Sequence, residues 1–306
     1  MKQGTSDITA GKGKMKDRNG IERREFRAAD GVLIVADVGG DPQQPTVVLM
    51  HGGGQTRHSW SGAMRALVRA GYQVINFDAR GHGESGWSPD GRYPPASRVA
   101  DLAAVLKDIQ SPVALVGASM GGATALFAIG EDIWPPAAAL IMVDIVPRPN
   151  PVGTKKITAF MQSHPEGFAT LEAAAEAVSA YNPHRPRPKD IGGLAKNLRK
   201  RGDGRYYWHW DPRILEGDGQ SEPGVMADTL IACTRKVGVP TLLVRGLASD
   251  VVTDQSVEEF RHYLPSLEVF NVPSAGHMVA GDRNDAFNDG VIQFLCRHVP
   301  PSAPAV

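Results

Sequence analysis

Short apolar runs alternate along this chain with longer segments whose apolar residues recur on a helical period. Strands are predicted at 32–38 (VLIVADV), 46–50 (TVVLM), 73–77 (QVINF), 113–116 (VALV), 139–143 (ALIMV), 241–244 (TLLV) and 267–272 (LEVFNV). Several are apolar at successive positions, the pattern of strands covered on both faces. Helices are predicted at 61–70, 97–109, 121–129 and 256–263. The last helix carries Phe287, Val291, Phe294 and Leu295 on one stripe. Asp30-Gly31 between 22–29 and 32–38 is a hairpin signal, so the chain should enter the sheet antiparallel. The strand–helix alternation after it predicts an α/β fold, a mostly parallel sheet with helices on both faces.

One region breaks the alternation. From 147 to 228 there is no long buried-strand run. The region opens with the proline-rich PRPNP, continues into a helix with Leu171, Ala174, Ala175 and Val178 on one face, and breaks again at NPHRPRPKD. The aromatic cluster Tyr206-Tyr207-Trp208-His209-Trp210 follows. This reads as a helical insertion into one domain, giving a core of 21–146 and 229–300, a cap at 147–228, and a flexible leader at 1–20.

With 306 residues the chain is long enough for a large core. Its 33 basic and 33 acidic residues balance to zero, which favours neither nucleic acid nor an anionic membrane as partner. No apolar run approaches a membrane span, and the N-terminal lysines lack the apolar segment of a secretory signal. The two cysteines, Cys233 and Cys296, have no metal-ligand spacing and read as plain buried thiols in a reducing cytoplasm. Nothing in this composition speaks to oligomeric state.

The polar atom that stands out is Ser119, in Gly117-Ala-Ser-Met-Gly121 between a strand and a helix. A turn would explain the hydroxyl; a nucleophile on a sharp bend explains the flanking glycines too. The Met120 N–H, at the start of the following helix, can face an oxyanion. His51-Gly-Gly-Gly54 follows the TVVLM strand, and Gly53, with Gly54 as an alternative, is the expected second donor. His51 itself reads as structural.

A base and an acid are expected at other strand ends, because ligands gather at the carboxyl edge of a parallel sheet. His277, in SAGHM, and Asp250, in RGLASD, both follow predicted strands, and the order Ser119, Asp250, His277 suits a hydrolase triad. Asp144 also ends a strand and could supply the acid, and Asp254 lies nearby. His277 would take and return the Ser119 proton while the acid fixes its tautomer. His58, Trp60, Trp208 and Trp210 are possible substrate-lining residues or simple packing residues. His82 reads as structural. The basic run KNLRKR at 196–201 reads as a solvated helix face rather than an anion site. No cluster has metal spacing, and no dinucleotide or Walker-type loop follows a strand.

Together HGGG, NFDARGHGES, VGASMGG, RGLASD and SAGHM make the chain resemble the α/β-hydrolase superfamily from about 21 to 300. The resemblance implies an eight-stranded sheet, a helical cap, and catalysis with no cofactor. It is greatest to single-domain members described as serine esterases or cofactor-free, non-haem peroxidases. Relatives that open epoxides or haloalkanes carry aspartate where this chain has Ser119, so acyl chemistry is expected. A small carboxylic ester is the expected substrate. Perhydrolysis, or cleavage of C–C, lactone, amide or thioester bonds, could run on the same triad, and a non-catalytic binding module is the remaining alternative.

Overall fold

The computed structural model describes residues 17, 20–133, 135–182, 191–216, 223–279 and 284–302. Most of the leader expected at 1–20 and most of the NPHRPRPKD break therefore lie outside the described residues. The chain enters through β1 (Glu22–Arg27) and β2 (Leu33–Gly39), paired antiparallel about Asp30-Gly31, with Gly31 at φ 86°. Here the side-chain carboxylate of Asp30 accepts the Val32 N–H, so the Asp-Gly signal acts through a local hydrogen bond.

The alternation then runs β3 (Thr46–Met50), α1 (Ser61–Arg69), β4 (Gln73–Phe77), α2 (Pro95–Leu106), β5 (Val113–Ala118), α3 (Met120–Gly130) and β6 (Ala137–Val143). After the insertion come β9 (Thr241–Gly246), α7 (Asp254–Tyr263), β10 (Glu268–Val272) and α8 (Asn284–His298). The eight strands form one sheet in the order β1-β2-β4-β3-β5-β6-β9-β10, parallel from β4 to β10. Strands β3, β4 and the first five residues of β5 are buried throughout, as their unbroken apolar runs predict.

Each sheet face has its own core. Helices α1 and α8 cover one face, where Phe287, Val291, Phe294 and Leu295 are all buried. Each such side chain contributes about 1.5–3 kcal/mol through its burial. Helices α2, α3 and α7 cover the other face. The ends of β5, β6, β9 and β10 are consequently neighbours, which sets the positions of the loops that leave them.

The insertion holds α4 (Pro151–Gln162), α5 (Leu171–Tyr181), a hairpin of β7 (Leu198–Lys200) and β8 (Tyr206–Trp208), and α6 (Pro223–Thr234). The basic run at 196–201 is thus no helix face: its first two residues end a 3-10 turn and the next three form β7. Strands of three residues are too short to show an alternation. The boundary expected at 228 falls inside α6, whose Leu230 and Cys233 belong to the main core. Cys233 is buried, but Cys296 on α8 is exposed, contrary to expectation, although its sulfur accepts the Tyr72 hydroxyl at 3.8 Å. Among the described residues no helix is long and apolar enough to cross a membrane.

Candidate active site

Ser119 joins β5 to α3 with φ 45° and ψ −114°, a conformation that non-glycine residues seldom adopt. The bend is held from both sides, by the Ser119 N–H donating to Val143 O (3.1 Å) and the Ala123 N–H donating to Ser119 O (3.0 Å). The neighbouring glycines are a packing requirement. A Cβ at Gly117 would lie 2.3 Å from Gly121 C, and one at Gly121 would lie 2.3 Å from Met50 O. The Met120 N–H, at the first position of α3, has no acceptor within the helix.

The glycine loop after β3 is pinned by polar partners. Gly52 N–H donates to Gln55 Oε1 (3.0 Å) and Gly54 N–H donates to His82 Nε2 (3.1 Å). The N–H of Gly53 has no partner among the described residues. Of the two donors considered from sequence, the structure therefore commits Gly54 elsewhere and leaves Gly53 available. Three buried imidazoles stand behind the loop, His51 against His82 (centroids 5.1 Å) and His82 against His209 of the insertion (5.8 Å). His51 Nε2 accepts the Ala79 N–H (2.9 Å), and His209 Nδ1 accepts the Gly83 N–H (2.8 Å). Burial, reinforced by the neighbouring His51 ring, lowers His82 well below the ordinary histidine range and pushes His209 down to about 3. These rings are neutral hydrogen-bonding braces.

His277 lies in the loop after β10, and its Nδ1 is 2.8 Å from Asp144 Oδ2. Asp144 follows β6 directly with φ 48°, and its side chain is fully buried. Its Oδ1 accepts the Gly246 N–H (3.1 Å) and its Oδ2 also accepts the Ser249 hydroxyl. This corrects the expectation that Asp250 orients the imidazole. Asp250 faces solvent and pairs with Lys156 Nζ at 3.1 Å, the two side chains being 42% and 55% exposed. The nearer alternative, Asp254, pairs with Arg245. Asp250 is the fourth residue past the end of β9, and the chain has turned outward by then. Asp144 is the first residue past its strand and cannot leave the sheet edge.

Ser119 and His277 line one cavity of about 480 Å³ beneath the insertion, together with Gly53 and Gly54. Its walls are mainly apolar: Phe160 and Met161 of α4, Tyr181 of α5, and Trp208 and Trp210, whose rings stack at 5.0 Å. His58 and Trp60, also considered as lining from sequence, face a second, adjoining cavity; Trp60 is otherwise a core residue against Phe287. Sequence reasoning did not single out Phe160, Met161 or Tyr181. Their signal, apolar side chains on helices of an insertion, is shared with any core residue. Among the described residues no group of three His, Cys, Asp or Glu could hold a metal ion.

A sequence model of the alpha/beta hydrolase family matches residues 47–289. The chain is 30% identical over 249 residues to esterase Rv0045c of Mycobacterium tuberculosis, covering 78% of each chain. It is also 30% identical over 270 residues to the sn-1-specific diacylglycerol lipase ABHD11 of Mus musculus, covering 84% of this chain and 82% of the relative. Among solved structures, E-2-(acetamidomethylene)succinate hydrolase superposes with a TM-score of 0.78 at 19% identity, covering 90% of this chain and 99% of the other, a likeness of fold.

Proposed function

The chain belongs to the alpha/beta hydrolase family, and from that premise we propose that it hydrolyses carboxylic esters through an acyl-enzyme on Ser119. One observation carries the reading: a serine in strained backbone geometry opens onto the same cavity as an imidazole whose far nitrogen rests on a buried carboxylate. Relatives named esterase and lipase lend support.

In this reading His277 Nε2 takes the Ser119 proton as Oγ bonds to the ester carbonyl carbon. The carbonyl oxygen gains negative charge beside the Gly53 and Met120 N–H groups, each donor being worth about 3–4 kcal/mol at the transition state. The C–O bond to the alcohol then breaks, and His277 returns the proton to the departing oxygen. Water, deprotonated by His277, attacks the acyl-enzyme and frees the acid. Asp144 holds the proton-bearing Nδ1 throughout and stabilises the imidazolium. The strained φ of Ser119 is what keeps its hydroxyl on the cavity side, and the neutral His82 and His209 hold Gly54, next to Gly53 in the loop, without adding charge.

A fluorophosphonate probe should label the protein at Ser119 and fail to label Ser119→Ala. With p-nitrophenyl esters, rates should rise from acetyl toward hexanoyl, because the cavity walls are apolar. An unlabelled wild type that turns over no ester would overturn the proposal.

A further inference from the structure

Next to the apolar cavity lies a second of about 500 Å³, and the two share His277, Gln55, Ala118 and Asn197 as a common wall. They differ in chemistry. Ser119 and Gly53 line only the first. The second is lined by Arg65 of α1 and by Lys196 of the 3-10 turn before β7, and no carboxylate is among its described lining residues. Neither cation has a carboxylate partner among the described residues. Trp60, in the same wall, has a buried indole N–H with no hydrogen-bond partner. Two exposed cations with no carboxylate beside them among the described residues, at the edge of a concave wall, raise the positive potential there.

The position of His277 says which part of a substrate each cavity takes. The imidazole hands its proton to the departing oxygen, so the alcohol leaves on the imidazole's side of the reacting carbon. The nucleophile and the amide donors hold the carbonyl on the other side. The acyl chain therefore occupies the aromatic cavity, and the alcohol projects past His277 into the cationic one. Resting on the esterase reading above, we propose that Arg65 and Lys196 form an anion subsite for the leaving group. The substrate class is then an ester joining an apolar acid to an alcohol that carries a carboxylate or phosphate.

The test compares 4-nitrophenyl hexanoate with its 3-carboxylate derivative, whose acyl group is the same and whose added anion lies on the leaving phenol. The wild type should favour the carboxylate by about tenfold in kcat/KM at low salt, the scale of electrostatic capture in a focused site. The ratio should fall toward one from about 20 mM to about 500 mM NaCl. In Arg65→Glu/Lys196→Glu the ratio should drop below one, and the salt arm on the wild type stands even if that variant folds poorly. Turnover of both esters at equal, salt-independent rates overturns the subsite and leaves the esterase reading intact, whereas turnover of neither removes the esterase reading itself. Phenyl phosphate and benzoate as competitors separate the two anions: the stronger inhibitor names the natural group, and inhibition by neither sinks the proposal.

Discussion

The loops leaving β6 and β9 start out as near equals. Each follows a buried parallel strand, each carries an aspartate, and both lie at the edge where Ser119 emerges. Yet Asp144 is wholly buried and bonded to Gly246, Ser249 and His277, while Asp250 stands in solvent against Lys156. Here the aspartate directly past its strand meets the imidazole, and the one four residues past its strand does not. The difference of three residues in distance from a strand end separates a buried, multiply bonded acid from a surface ion pair. Such exposed pairs are worth at most about 1 kcal/mol.

The sharpest way to break this contrast is Asp144→Asn, expected to lower kcat by about 10⁴, the loss seen when a triad acid becomes an amide that disfavours the working tautomer. Steady-state kinetics on a p-nitrophenyl ester measures it, and a loss below tenfold would return the acid's role to another residue. A smaller effect should appear in stability against pH, through the buried histidine braces. His209 resists protonation down to about 3. Below an ordinary pKa near 6.5 the unfolded imidazole gains a proton that the folded ring refuses, so stability falls by about 1.4 kcal/mol per pH unit through this window. Above it the ring contributes no pH dependence. Urea unfolding at neutral and at mildly acidic pH should show the slope, and His209→Asn should flatten it; an unchanged slope would mean that His209 is not held neutral.

Ser249→Ala sharpens the comparison further. It removes one donor from Asp144 but leaves Gly246 and His277 in place, so kcat should fall by roughly tenfold, the worth of one hydrogen bond to a charged group. An effect on stability alone, with kcat intact, would make Ser249 a purely structural partner. The smallest change is expected from Asp250→Asn, which should alter kcat less than twofold and stability by about 0.5 kcal/mol or less. A thousandfold loss of activity there would reverse the whole contrast.

Much of the fold was legible because it depends on local patterns. Strands β3 and β4 lie where unbroken apolar runs predict them, and the stripe on α8 is buried as its spacing requires. The elbow was equally visible, since only glycine tolerates the backbone approaches around Ser119. What escaped were properties of short or mixed segments. The three-residue strands of the insertion carry no period, and Cys296 lies between helix faces whose exposure depends on what packs over them. The cap side chains that wall the cavity look, in sequence, like any others that seek burial.

By itself the sequence determined which residues could do chemistry: a serine among glycines, a glycine loop with spare amides, and a histidine and several aspartates past strand ends. Tertiary structure decided which of them meet. Strand order places the end of β6 beside that of β9, with β10 next, so Asp144 reaches His277 across the sheet edge while Asp250 does not. Local propensity fixes where a strand ends, but only the sheet's lateral packing fixes which ends are neighbours, and hydrogen bonds at 2.8 Å are made between neighbours.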